Sequence, residues 1–152
     1  MTADRHIAHF NWGTLKAPVG DPSVSGFVDA VDRVNGIAER SPGFVWRMGD
    51  EGSAAIRIGW PLFTEDQRVI ASFSVWERPE DLKSFVYKTV HGAFFRRRDE
   101  WFEPGTGMNY ALWWIAPGHI PDITEARAKV DQLLADGPGD DVFTFGQLAG
   151  PA

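Results

Sequence analysis

Residues 73–102 read FSVWERPEDLKSFVYKTVHGAFFRRRDEWF, and the fold turns on this stretch. It leaves a β-branched, aromatic strand at Trp76 and enters a helix at Pro79, whose missing N–H is one that a first helical turn leaves unbonded anyway. Advancing about 100° per residue from Leu82 puts Leu82, Val86, Val90, Ala93, Phe94 and Trp101 on one stripe, the pattern of a helix lying on a sheet. A neighbouring stripe carries Tyr87, His91, Phe95, Arg98 and Phe102, while Lys88, Gly92, Arg96 and Asp99 are left to water. So wide an arc needs two partners, of which one can be a ligand or a second subunit. The plainer alternative makes Tyr87, Phe95 and Phe102 ordinary core, His91 a satisfied histidine and Arg98 a surface ion-pair former.

Working outward, residues 6–15, HIAHFNWGTL, alternate as a strand with both faces at least partly buried. Asp21-Pro22 reads as the N-cap and first residue of a helix whose apolar stripe is Val24, Phe27, Val28, Val31, Val34 and Ala38, and Ser41-Pro42-Gly43 stops it. A strand at 44–48, a long irregular connection at 49–67, a strand at 68–77, the helix of 79–102 and a strand at 109–116 follow. Strand, helix, strand, strand, helix, strand is the order of an α+β, ferredoxin-like unit: an antiparallel sheet with both helices on one face. Residues 1–118 make that core, and 119–152 are expected to be an appendage of the same domain. In it Asp122-Ile123-Thr124-Glu125 resembles a capping box opening a helix to about Ala135. Gly137-Pro138-Gly139 breaks that helix, and 142–148 suit an edge or exchanged strand.

Composition excludes several classes. The 152 residues are 43% hydrophobic and 24% charged, enough for one domain with a sizeable core. Seven Trp and eleven Phe exceed what a monomer of this size usually hides, so an aromatic cavity, a subunit interface or both are expected. A net charge of −6 lacks the footprint of a nucleic-acid binder, and Arg96-Arg97-Arg98 is offset by Asp99 and Glu100. With no cysteine there is no disulfide, thiolate nucleophile or iron–sulfur ligation. The run from Tyr110 to Ala116 is too short to span a bilayer, and MTADRHIAHF has no signal-type apolar centre. A cytoplasmic protein with neither membrane nor nucleic-acid partner is expected.

Along the third strand Val69, Ala71, Phe73 and Val75 alternate with Ile70, Ser72, Ser74 and Trp76. The first set suits the helix side. The second, with two hydroxyls and an indole, suits a cavity on the opposite face, which His9 and Asn11 share unless the phase is reversed. That opposite face, carrying Trp76 and either Trp113 or Trp114, has no evident cover and is expected to form a homodimer interface. No dinucleotide or phosphate-loop string, metal-ligand spacing or nucleophile elbow occurs.

SPGFVWR at 41–47, SVWE at 74–77, FVY...H...RRR.EWF at 85–102, WW...GHIP at 113–121 and FTF at 143–145 together resemble an uncharacterised bacterial family, a domain of unknown function. That family is part of the dimeric α/β-barrel superfamily, similar in architecture to antibiotic-biosynthesis and haem-degrading monooxygenases. The resemblance implies a protomer that dimerises sheet to sheet around a pocket. It also implies a strand-borne Asn, a strand-borne Trp and a helix-borne His at the site, which Asn11, Trp76 and His91 match by element. Ser72 departs from it, standing where the family's Asn is expected. The function implied is a small-molecule tailoring enzyme, foremost a cofactor-independent monooxygenase of natural-product biosynthesis acting on an aromatic or polyketide-like substrate. His91, or His9 in its place, removes a proton, Arg98 stabilises the oxyanion, and Asn11 and Trp76 orient substrate and oxygen. His9, Ser72, Ser74, Tyr87, Phe95 and Trp113 line the substrate. The same groups also suit a cyclase, isomerase or dehydratase, a haem-binding protein with His91 on iron, or a non-catalytic ligand-binding dimer.

Overall fold

β1 (His6–Thr14), β2 (Phe44–Arg47), β3 (Val69–Trp76) and β4 (Met108–Ile115) form one sheet in the order β2-β3-β1-β4. All three pairings are antiparallel. The structure, a computed structural model, describes residues 5–17, 21–26, 33, 36–48, 68–86, 98–101 and 108–148. The connections from β1 to β2 and from β3 to β4 each pass over one strand, and the described parts of both carry helix. In the first, a 3-10 turn, Pro22–Val24, starts where the Asp21 side chain accepts the Ser23 N–H at 2.9 Å, and residues 36–39 are helical. In the second lie α1 (Pro79–Phe85) and the turn α2 (Arg98–Trp101). This is the ferredoxin-like α+β arrangement expected from the element order.

Strand alternation divides the side chains between two faces. Ile7, Trp76 and Leu112 pack with Ala38, Leu82, Phe85 and Val86, so their face lies under the helices of the two connections. Ala8, Phe10, Ala71, Phe73, Val75, Ala111 and Trp113 occupy the other face. That face is covered by the appendage: α3 (Ile123–Asp136) lays Ile123, Ala126 and Val130 against it.

Two expectations are corrected here. The polar set of β3, with His9 and Asn11, lies on the helix side, and the Ala71, Phe73 and Val75 set on the opposite side; the phase is reversed. Alternation assigns residues to two faces but carries no label saying which face the helices take. The opposite face, moreover, is not bare, because α3 of the same chain buries it: Phe10 is 0% exposed and Trp113 1%. The ground given for a sheet-to-sheet interface is therefore absent.

The end of the chain is also not an edge or exchanged strand. Beyond α3 it rounds the outer edge of β4: Val142 sits in the cluster under α3, and Phe143 in the cluster under the other helices. Phe143 pairs with Leu112 through two backbone hydrogen bonds, 2.8 and 2.9 Å, and the short helix α4 (Phe145–Leu148) follows. The edge of β4 is thus closed at its middle by the chain itself.

Candidate functional site

The register of the sheet sets the geometry under the helices. Cross-strand partners on one face hold their side chains about 5 Å apart, and three rows result. Phe44, Trp76, Ile7 and Trp114 form the first, Arg47, Ser74, His9 and Leu112 the second, and Ser72, Asn11 and Tyr110 the third. Along β1 and β3 exposure rises from the first row to the third. Trp76 is 0% exposed, Ser74 and Asn11 are half-buried, and Ser72 is exposed. The face therefore closes at the Trp76 row, where Phe44 and Phe85 pack on the indole with ring centroids 5.5 and 5.1 Å away, and opens at the Ser72 row.

His9 stands between the closed and open ends. It is 8% exposed, and burial alone pushes its imidazole down to about 4, so the ring is neutral near pH 7. Its ring lies 5.9 Å from that of Tyr110, and among the described residues no hydrogen bond reaches either ring nitrogen. A neutral imidazole carries one N–H and one lone pair, so it can take a proton from a hydroxyl brought against it and donate on its other side.

The hydroxyls around it are specifically engaged. Ser72 Oγ donates to Asn11 Oδ1 at 2.9 Å, which leaves the Asn11 amide hydrogens without a protein acceptor among the described residues. Trp76 Nε1 donates to Ser74 Oγ at 3.0 Å. With its N–H given to Ser74 and its ring 0% exposed, Trp76 packs beneath the open rows.

The structure thus brings together His9, Asn11, Ser72, Ser74 and Trp76. It separates Trp113 from them. That residue projects from the α3 face, where its Nε1 donates to Glu125 Oε2 at 2.8 Å, because β4 presents Tyr110, Leu112 and Trp114 on the helix side. Tyr87, His91 and Phe95 lie outside the described residues, as does the side chain of Arg98, whose backbone opens α2. Sequence reasoning missed Tyr110 and Arg47. Tyr110 is the register partner of Asn11, and its hydroxyl accepts the Phe145 N–H at 3.0 Å. Arg47 is the register partner of Ser74, and its Nε donates to Glu39 Oε2 at 2.8 Å. Alternation in β4 puts Tyr110 on one face with Leu112 and Trp114, but only pairing shows that this is the face of His9. Among the described residues no group of three or more His, Cys, Asp or Glu is placed to hold a metal ion, and no helix is long and apolar enough to cross a membrane.

Fold and site define a ferredoxin-like α+β protein with a buried histidine and a polar ladder under its helices. The chain belongs to the family described as a domain of unknown function (DUF3291), matched over residues 6–152; the membership and fold that the sequence resemblance implied both hold. No curated protein matches it. Among solved structures it is similar to a protein of unknown function from Nitrosomonas europaea, with TM-score 0.52 and 8% identity over 78% of this chain and 97% of that one. A conserved protein from Methanosarcina mazei Go1 is similar at TM-score 0.50 and 11% identity, covering 72% of this chain and 93% of that one. SnoaB, a cofactor-independent oxygenase from Streptomyces nogalater, shows TM-score 0.44 and 13% identity over 79% and 100% of the two chains. Likeness at such identities speaks for fold alone, and the last, with its lower score, carries no argument about function.

Proposed function

We propose that this protein is a small-molecule tailoring enzyme in which His9 takes a proton from a phenolic or enolic substrate seated over the Asn11–Ser72 pair. The observation that carries the reading is the His9 imidazole, buried and without a hydrogen bond among the described residues, one row in from the row that opens to solvent at Ser72. The substrate O–H bond breaks, an N–H bond forms on the imidazole, and the electron pair stays on the substrate oxygen. Burial disfavours an isolated imidazolium, but beside the new oxyanion the two charges offset each other. The Asn11 amide hydrogens are free to orient the substrate. In the monooxygenase form of the proposal the resulting enolate reacts with dioxygen. A ring CH2 becomes C=O, one oxygen atom enters the product and the other leaves as water, so the electrons balance without a further reductant. In this proposal His9 takes the place expected first of His91, which becomes a second base, Arg98 keeps the role of oxyanion partner, and a homodimer and a cytoplasmic setting belong to the same reading.

Oxygen uptake with enolisable aromatic ketones that carry a ring methylene, and with their phenolic tautomers, tests the proposal. Turnover is expected to fall at least about 100-fold in His9→Gln. Equal turnover per folded molecule in the two proteins overturns the role of His9, and proton exchange at the methylene without oxygen uptake overturns the oxygenase form alone.

A further inference from the structure

We infer that Tyr110 is a second substrate-contacting residue of this site, donating its phenolic hydrogen to the oxygen that His9 deprotonates, and that the C-terminal segment aims it. The inference rests on the reading of His9 just given. A phenolic hydroxyl has one hydrogen to donate and lone pairs to accept with. In Tyr110 the Phe145 N–H, 3.0 Å away, takes up the accepting side. Among the described residues nothing accepts the hydrogen that Tyr110 itself carries.

The surroundings give that hydrogen a destination. The Tyr110 ring stands 5.9 Å from the His9 ring, and its backbone is the register partner of Asn11 in the row that opens to solvent. A ligand oxygen reached by both His9 and Tyr110 would lose its proton to the first and gain a hydrogen bond from the second, and the bond strengthens as negative charge builds on the oxygen. The Tyr110 ring is also held by Phe145, with centroids 5.3 Å apart, and Phe145 opens α4 just beyond the Phe143–Leu112 bridge. The segment that rounds the edge of β4 therefore ends as part of the site wall. Aromatic rings at Tyr110 and Phe145 suit a flat aromatic alcohol.

Titrations with 2-naphthol and with naphthalene, which lacks the oxygen, separate the roles. The whole chain is expected to prefer 2-naphthol, and His9→Gln to reduce that preference. Tyr110→Phe is expected to weaken 2-naphthol binding roughly fivefold, the effect of losing one hydrogen bond to a neutral oxygen, while naphthalene binding changes less than about twofold. A purely structural Tyr110 would weaken both ligands alike, and that result overturns the inference. A His9-dependent preference that survives Tyr110→Phe also overturns it and leaves the proposed role of His9 standing, whereas no preference in the unaltered protein removes both. Should Tyr110→Phe fail to fold, Phe145 serves instead. Pro at this first helical position deletes the N–H with little penalty to the turn, and Ala keeps it, so a lower 2-naphthol preference in Phe145→Pro than in Phe145→Ala supports the aiming role and equal preference overturns it.

Discussion

Burial lowers the His9 pKa from 6.5 to about 4, so between those values the folded chain binds fewer protons than the unfolded one. Stability therefore rises with pH across that window and levels off above it. At pH 5 the unfolded imidazole is almost fully charged and the folded one almost fully neutral, which lowers stability by about 2 kcal/mol relative to pH 7. Urea unfolding of the protein and of His9→Gln at the two pH values checks this, with the pH-dependent loss expected to shrink by about that amount in the variant. The same burial keeps the imidazole unprotonated at ordinary pH and also makes it a weaker base, so in the proposed role it depends on an oxyanion forming beside it. His9 was legible from the sequence as a candidate on a buried strand. Its precedence among the described residues was not, since it depends on how deeply other elements bury it.

Among the elements, the helix starts at Pro22, Pro79 and Ile123 and the stop at 41–43 were read most securely because they are set locally. Gly43 ends the stop at 41–43 with φ +82, a conformation that side chains disfavour, and a Cβ there would overlap the Asp81 carboxylate of α1. Gly43→Ala is expected to lower stability by more than about 2 kcal/mol, combining left-handed backbone strain with that overlap; thermal melts should show it. The capping box at α3 was half right. Asp122 Oδ1 accepts the Glu125 N–H at 2.9 Å, but the Glu125 side chain does not turn back to Asp122. It reaches instead to Trp113 Nε1 at 2.8 Å and His119 Nε2 at 2.7 Å, pinning the helix start to the sheet. Asp122→Ala should cost about 1 kcal/mol. Glu125→Leu, which strands a buried indole N–H, should cost about 1–3 kcal/mol in the same urea titration.

At the scale of the whole molecule, α3 takes the position on the sheet that a second subunit was expected to fill. Ala126, 0% exposed, lies at the centre of that contact. Ala126→Glu buries an unpaired charge and is expected to lower stability by more than about 3 kcal/mol by the same amount at every protein concentration, as an intrachain contact requires. A loss that shrinks at higher concentration would mean that α3 covers a partner's sheet. The sequence by itself determined the four sheet strands, the helix starts at Pro22, Pro79 and Ile123, the ferredoxin-like order and the presence of a polar set on one strand face. Each of these follows from alternation, capping residues and turn residues acting within a few positions of one another. Only the tertiary structure decided which face the helices cover, that Trp113 is anchored to Glu125 away from His9, and that Tyr110 meets Asn11 and Phe145. Those facts depend on register and on packing between residues distant in the chain, such as Phe145 and Tyr110, and a two-residue period is the same whichever side of the sheet is buried first.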